Sequence, residues 1–498
     1  MPRATAASIT ARNLSAALIK TEALSMLMTT AVMPLGIYQL ASALEARGIP
    51  VSATLDLQIV RPEDVRRELE CVASRRPAVI GLSAVSHSAG LAASVASFLR
   101  RAAPAATLVV GGPVATTDPQ GVLDACGVDF AIAGEGEEAL PNFVEALAAG
   151  GDPRGVPGLV YRDAGTIVRN PPEPLSVTLD ELPFPAWDRV DFRRYGKFIS
   201  GTLRRSPYAA LVTSRGCPYR CIFCNNVFGR KFRAQSPESV LAELHLLRRR
   251  HGIRRIEFFD DIFNLDGDRA REILSRIRDE LPDVRIGFCT GLRADQLDES
   301  FFDVLGTVNC YFLGIPVETA SPRLQRLIRK DVDLDRVRLT VELARKHRIY
   351  TMGFYLVGFP TETPEEVRAT FRFARELKTS FHFFSFVSAY QGTALREMIG
   401  DEKASTNARV DDGLAAEIHR LRLKVLRAQF LKPRNWYFVY NLVAWRLWWL
   451  GPKRLLSHLA AIVQEKVLGR QAPPVGIFER KTDEFSREIR AALGGNGA

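Results

Sequence analysis

The sequence predicts an α/β protein: a doubly wound parallel sheet, then a partial (β/α)6 barrel, then a mainly helical C-terminal region. Three observations point there. From Leu14 to about Gly150, short apolar runs ending in Gly or Ser alternate with helix-length amphipathic segments. From Ala209 to about Leu395 the same alternation recurs over six units, where a closed barrel would need about eight. Between them lies a loop-like stretch carrying Pro153, Pro157, Pro171, Pro172, Pro174, Pro183 and Pro185.

The elements follow in order. Ala16–Ile19 reads as a first strand, and Pro34-Leu35-Gly36 opens a helix-period segment to Ala46. Val51–Leu57, Val79–Ser83, Thr107–Val110 and Phe130–Ala133 are the next strands, the last two ending in Gly111-Gly112-Pro113 and Gly134-Glu135-Gly136. Gly158–Val168 reads as a short hairpin within the linker. The barrel strands are Ala209–Thr213, Arg255–Phe259, Arg285–Cys289, Tyr311–Val317, Tyr350–Val357 and His382–Ser388, with helices such as Pro237–His251 and Pro364–Leu377 between them. The division is residues 1–150, a linker over 151–205, the barrel over 206–400 and the C-terminal region over 401–498.

Composition narrows the class. The 498 residues hold 36 Gly and 28 Pro with 25% charged residues, which excludes wholesale disorder and collagen-like repeats. No apolar run reaches the ~20 residues that cross a bilayer, and the apolar stretch Ala23–Leu35 reads as part of the first sheet domain rather than an export signal. Of the net charge of +11, residues 401–498 contribute +7, from 17 Lys+Arg against 10 Asp+Glu. Between Leu421 and Arg470 only Glu465 opposes the basic residues, and Trp436, Tyr437, Phe438, Tyr440, Trp445, Trp448 and Trp449 are interleaved with them. Such a segment suits either a helical tail packing its aromatics on the preceding domain or an interfacial helix meeting anionic lipid. No nucleic-acid motif accompanies the charge, and no nucleic-acid partner is expected.

Seven cysteines cannot build a disulfide scaffold, and a reducing cytoplasm is the simplest compartment. Cys71, Cys126, Cys289 and Cys310 read as buried small hydrophobes. Cys217, Cys221 and Cys224 fall within eight residues, directly after the first barrel strand. Three thiolates can hold three irons of a four-iron four-sulfur cluster and leave the fourth iron open. Zinc would seek a fourth protein ligand, and a disulfide does not suit an odd, loop-borne triplet.

Cys217-x3-Cys221-x2-Cys224 in this position resembles the signature of the radical SAM superfamily. Further resemblances are Glu257–Asp261 after the second barrel strand, Gly314–Ser321 at the fourth, Tyr355–Thr363 at the fifth and Tyr390–Leu395 at the end of the sixth. The resemblance implies that the open iron chelates S-adenosylmethionine (SAM) and that an electron from the cluster cleaves it to a 5′-deoxyadenosyl radical. It implies Cys217, Cys221 and Cys224 as cluster ligands, Phe223 beside the adenine, Glu318 on the ribose and Asp260 as a further cofactor contact. No side chain is singled out as a catalytic acid, base or nucleophile.

The N-terminal sheet resembles the cobalamin-binding domain of cobalamin-dependent radical SAM enzymes, through Pro34–Ala41, Gly111–Thr116 and Ala133–Glu137. This implies Ser83, Gly111, Gly112, Pro113, Gly134 and Glu135 as the corrin-facing positions, small enough to let a flat macrocycle lie across the strand ends. The Asp-x-His-x-x-Gly loop of histidine-ligating cobalamin domains is missing from Thr21–Leu35, and Val114 stands where related sequences often have His. His87 is the nearest histidine at a strand end.

The expected activity is C-methylation of a small natural-product or lipid-like substrate by a radical SAM methyltransferase. Cyclisation, oxidation or rearrangement without net methyl transfer, as in the anaerobic porphyrin ring cyclases that this architecture resembles, is the alternative; a non-catalytic cobalamin-binding or regulatory module is another. The implied partners are the small-molecule substrate and an electron donor such as flavodoxin or ferredoxin, with peripheral membrane contact through the C-terminal segment. The expected location is cytoplasmic, on the inner membrane face where that contact is made.

Overall fold

The computed structural model describes residues 14–23, 31–172, 178–400, 412–436, 440 and 484–494. They form two compact units. One runs to Asp191 and takes in the helix Glu484–Ala492; the other begins at Phe192.

The first unit is a seven-stranded sheet. Strands β1 (Ala16–Lys20), β2 (Val51–Asp56), β3 (Val79–Ser83), β4 (Thr107–Gly111) and β5 (Phe130–Ile132) run parallel in the order β2-β1-β3-β4-β5. Residues Ala16–Ile19 and Leu108–Val110 are buried on both faces, which is why these strands read as continuous apolar runs. The helices meet the sheet through apolar stripes; Ala89–Ala102 presents Leu91, Ala92, Val95, Ala96 and Leu99.

Two features differ from the sequence expectation. The hairpin β6 (Leu159–Asp163) and β7 (Thr166–Arg169) is not a free linker element: β6 pairs antiparallel with β5, Val160 facing Ala131, and extends the sheet. Its register keeps Leu159 and Val160 in the core. The helix Glu484–Ala492 belongs to this unit and not to a separate tail, because Ile489 and Leu493 are buried in its core. Arg66 donates from Nε (2.9 Å) and a terminal nitrogen (2.6 Å) to the carbonyl of Ala492 at the helix end.

The second unit is a six-stranded, all-parallel sheet. After β8 (Ala209–Leu211) a two-stranded ribbon forms from β9 (Ser214–Arg215) and β10 (Arg233–Ala234). Then β11 (Arg255–Phe258), β12 (Arg285–Phe288), β13 (Asn309–Glu318), β14 (Tyr350–Val357) and β15 (Phe381–Phe386) add one beside the other, leaving β8 and β15 as the two edges. This is the partial barrel the sequence predicts. Its helices start at side-chain caps: Ser236, Asp266 and Asp333 each accept from the first turn, and Thr363 and Glu366 form a capping box ahead of Pro364–Glu376.

Among the described residues the C-terminal region is helical, with Asp412–Phe430 followed by a short turn. Leu431, Trp436 and Tyr440 are exposed. Trp445, Trp448, Trp449 and most of the basic aromatic segment lie outside the described residues. Cys126, Cys289 and Cys310 are buried as expected, whereas Cys71 is exposed on the outer face of Val65–Ser74.

Candidate active site

The cysteine loop hangs from the carboxyl end of β8, and Asp260 fastens its root. Asp260, two residues beyond β11, accepts at Oδ1 from the Thr213 amide (3.0 Å), the Thr213 hydroxyl (2.8 Å) and the Ser214 hydroxyl (2.6 Å). Asp261 accepts the Gly216 amide at 3.2 Å. Gly216 has φ +84°, and a Cβ there would stand 2.3 Å from the carbonyl oxygen of Lys231, so only glycine lets the two chains pass. Beyond it, the Cys217 amide donates to Gly229 O (3.2 Å), the Ile222 amide to Ile328 O (3.0 Å) and the Leu395 amide to Ile222 O (2.9 Å). Ile222 is buried with Leu324, Ile328, Phe359, Val387 and Leu395, and Phe223 packs edge-on against Phe359 with ring centroids 5.9 Å apart. The loop is therefore pinned at both ends and in the middle.

Burial pushes all three thiols upward. The effect is strongest at Cys224, which burial and the neighbouring Cys221 and Cys217 raise to about 11. Cys217 also adds to the rise at Cys221, while Lys330 and Arg293 act in the opposite sense on Cys217 and Cys221. As placed, no group of three or more His, Cys, Asp or Glu side chains among the described residues is arranged to hold a metal ion. The donor set nevertheless fits a cluster: three soft sulfur donors on one loop, with cations beside them that favour the thiolates metal binding requires.

Glu318 ends β13 across the strand ends from this loop. The β13–β14 register slips between Pro316 and Glu318, and Glu318 has φ +65°, a conformation that non-glycine residues rarely adopt and that is found at functional sites. Its side chain is buried, and Lys330 Nζ stands 2.7 Å from Oε1. Arg293 donates to the carbonyl of Lys330 (2.7 Å) and lies 3.6 Å above the Tyr219 ring inside the cysteine loop. Sequence reasoning missed Lys330, which sits in an ordinary-looking charged run, Arg329-Lys330-Asp331. It also missed Glu362, buried in the turn after β14, where Oε2 accepts the amides of Gly358 (2.5 Å) and Phe359 (3.1 Å). Burial pushes that carboxyl up to about 7, against the pull of the two amides. A carboxylate next to Gly-Phe-Pro at a strand end was the available signal.

In the first unit Ser83, Gly111, Gly112, Pro113, Gly134 and Glu135 lie at or just beyond the carboxyl ends of the neighbouring strands β3, β4 and β5. Gly112 has φ +90°, and its Cβ would meet the Ala84 carbonyl at 2.9 Å. At Gly111 and Gly134 a Cβ would meet nothing within 4 Å, so the ridge is small and opens onto free space. The Gly134 amide donates to Thr116 Oγ1 at 2.9 Å, fixing the turn after β5. That shape fits a flat ligand laid on the strand ends. Val114 is buried in the core and offers no polar contact. His87 is an exposed rim residue whose Nε2 pairs with Glu22 at 3.1 Å. Burial opposes the charge on Glu22, but Lys20 and His87 hold it down at about 2.

Residues 28–144 match the B12 binding domain model and residues 211–374 the radical SAM superfamily model. The chain is 33% identical over 324 residues to an uncharacterised methyltransferase of Pyrococcus horikoshii, covering 64% of this chain and 69% of that one. The chain belongs to the B12-binding radical SAM enzymes. The cofactors of this radical SAM enzyme are accordingly a four-iron four-sulfur cluster, SAM and cobalamin. It is also 28% identical to the cytidylyl-2-hydroxyethylphosphonate methyltransferase of Streptomyces wedmorensis, over 65% of this chain and 67% of the relative. Its fold resembles that of TsrM from Kitasatospora setae, a radical SAM methyltransferase solved with cobalamin and a [4Fe-4S] cluster bound. The TM-score is 0.66, with 23% identity over 78% of this chain and 74% of that one.

Proposed function

We propose that this radical SAM enzyme methylates an unactivated carbon of a small natural-product or lipid-like molecule. The observation that carries the reading is the presence in one chain of two prepared strand-end sites. One is the pinned Cys217–Cys224 loop with the Glu318–Lys330 pair; the other is the open glycine ridge at Gly111 and Gly134. Relatives named as methyltransferases support it.

When bound, the cluster supplies the electron that cleaves SAM to a 5′-deoxyadenosyl radical, and cobalamin supplies the methyl carrier. The chain's own residues bind and orient. Cys217, Cys221 and Cys224 would hold the cluster. Glu318, paired with Lys330, is the acceptor for the ribose hydroxyls of SAM, and Phe223 is the apolar wall for its adenine. Asp260 acts one layer back, by holding Thr213 and Ser214 so that the loop enters at a fixed angle. Ser83, Gly112, Pro113 and Glu135 complete the corrin-facing ridge.

An electron donor of the flavodoxin or ferredoxin kind is the protein partner in this reading, and the working location is cytoplasmic. No helix among the described residues is long and apolar enough to cross a membrane. Exposed Leu431, Trp436 and Tyr440, continuing into the basic aromatic segment, support peripheral contact with anionic lipid.

The test is reconstitution with iron and sulfide, a strong reductant and SAM labelled in its methyl group, over a metabolite extract. A labelled product supports methyl transfer. SAM cleavage with no label in any product would instead mean radical chemistry without net transfer, and no cleavage at all would mean a binding module.

A further inference from the structure

Residues 1–191 contain a single histidine, His87, and it stands at the strand ends that carry the glycine ridge. It lies in the turn Ser86–Ser88, just beyond the end of β3. Hydrogen bonds tie this turn to the ridge. The Ala84 amide donates to Gly111 O (3.1 Å) and the Val114 amide to Ala84 O (3.4 Å). The Ser88 hydroxyl accepts the Val85 amide (3.1 Å) and donates to the Val85 carbonyl (3.1 Å), which closes the turn. The backbone that shapes Gly111 and Gly112 therefore also sets the place of His87.

A carboxylate orients the imidazole. His87 Nε2 is 3.1 Å from Glu22 Oε1, and Glu22 enters from the loop after β1, the strand beside β3. Lys20, the last residue of β1, meets Glu22 Oε2 at 3.0 Å and donates to buried Gln58 (2.8 Å) and to Val32 O (3.1 Å). The carboxylate is thus held from behind, whereas the His87 side chain is 66% exposed. An exposed pair of this kind adds little to stability, so stability alone does not account for the array behind it. With the Nε2 proton on Glu22, the Nδ1 lone pair is left for a metal, and no other partner holds the ring among the described residues. An imidazole that gives one ring N–H to a carboxylate and keeps the other nitrogen free has the arrangement of a metal ligand.

We propose that His87 supplies the axial nitrogen to cobalt when cobalamin is bound, with Glu22 as its positioning residue. The histidine missing from the loop after β1 is then replaced from the loop after β3, while the loop after β1 still provides the carboxylate. One axial nitrogen is all the chain needs to give, because the corrin itself supplies the equatorial ones.

The experiment is electron paramagnetic resonance of the full-length protein, loaded with cobalamin and mildly reduced to the cobalt(II) state. In that state the unpaired electron senses an axial nitrogen nucleus. Unlabelled protein is compared with protein labelled with nitrogen-15 histidine, with His87→Ala and with Glu22→Gln. The expected result is cobalt lines split into triplets in the first, into doublets in the second and not at all in His87→Ala. Glu22→Gln should lower the split fraction of the signal several-fold at equal cobalamin content. His87 is exposed, so its removal leaves the sheet intact, as equal melting temperatures would verify. The labelled wild type decides the matter even where His87→Ala retains no cobalamin. Wild-type lines without nitrogen splitting would overturn the proposal. So would splitting that survives in His87→Ala, or triplets that persist in the labelled protein, since the nitrogen would then be the cofactor's own base. An unchanged split fraction in Glu22→Gln would overturn the role of Glu22. None of these readouts depends on methyl transfer.

Discussion

Lys330 Nζ stands 2.7 Å from Oε1 of Glu318, and both side chains are at most one-tenth exposed. The pair joins the end of β13 to the turn that follows Pro322–Leu327, on the side of the sheet where the cysteine loop sits. Lys330→Met strands a buried carboxylate and is expected to cost about 3 kcal/mol in urea unfolding. Adding Glu318→Gln should recover part of it, with a coupling energy of about 1–3 kcal/mol. Additive losses would mean that the two groups do not interact.

Gly216 and Gly229 form an internal comparison. Both have positive φ, but a Cβ on Gly216 meets Lys231 O at 2.3 Å and one on Gly229 meets nothing. Gly229→Ala should cost about 1–2 kcal/mol, the ordinary penalty of a left-handed alanine. Gly216→Ala should cost more and lower the iron bound per chain several-fold after reconstitution, because the cysteine loop must shift. Equal iron content in the two variants would contradict this.

Asp260→Ala leaves an amide and two hydroxyls without their acceptor at the root of the loop. A loss of about 3 kcal/mol is expected, with iron uptake reduced in parallel. Asp260→Asn keeps one acceptor oxygen and should lie between this variant and wild type on both readouts.

Glu362 predicts a pH dependence. Its carboxyl is raised by burial from the usual 4.5 to about 7 in the folded chain. The folded state therefore holds the proton more tightly than the unfolded one. That contribution is complete below pH 4.5 and is lost as pH rises through 7. Between pH 5 and pH 8 the wild type should lose up to about 3 kcal/mol more stability than Glu362→Gln. Parallel stability curves for the two proteins would show that Glu362 does not titrate in this range.

Gly111→Leu starts a side chain from a Cβ that meets nothing within 4 Å, at the open strand ends of the first sheet. The melting temperature of the cofactor-depleted protein should change little, whereas the cobalamin retained after loading and gel filtration, read from its visible absorbance, should fall at least tenfold. Undiminished cobalamin would move the ligand off this ridge.

Much of the architecture was legible because β1–β5 of the first sheet and all of the second are parallel and largely buried. Their strands read as apolar runs closed by Gly, Ser or a carboxylate, and Val79–Ser83 and Tyr350–Val357 fall within the bounds expected. The cysteine spacing and the Glu318 motif were legible because they are local. What escaped was set by distance along the chain. Lys330 reaches Glu318 from beyond a helix, with Arg329 and Asp331 beside it both at positive φ, and nothing in a charged tripeptide marks that turn. The return of Glu484–Ala492 to the first unit depends on Ile489 and Leu493 finding a core nearly 400 residues earlier in the chain. The hairpin at β6 and β7 looked like linker because its outer residues are exposed.

The most direct test of the central claim is 5′-deoxyadenosine formation from SAM by anaerobically reconstituted protein under a strong reductant, measured for wild type, Cys221→Ala and Glu318→Gln. The account predicts 5′-deoxyadenosine from the wild type, none above background from Cys221→Ala at reduced iron content, and a marked decrease from Glu318→Gln at unchanged iron content. Wild-type protein that carries its full iron and yields no 5′-deoxyadenosine, or a Cys221→Ala variant as active as wild type, would contradict it.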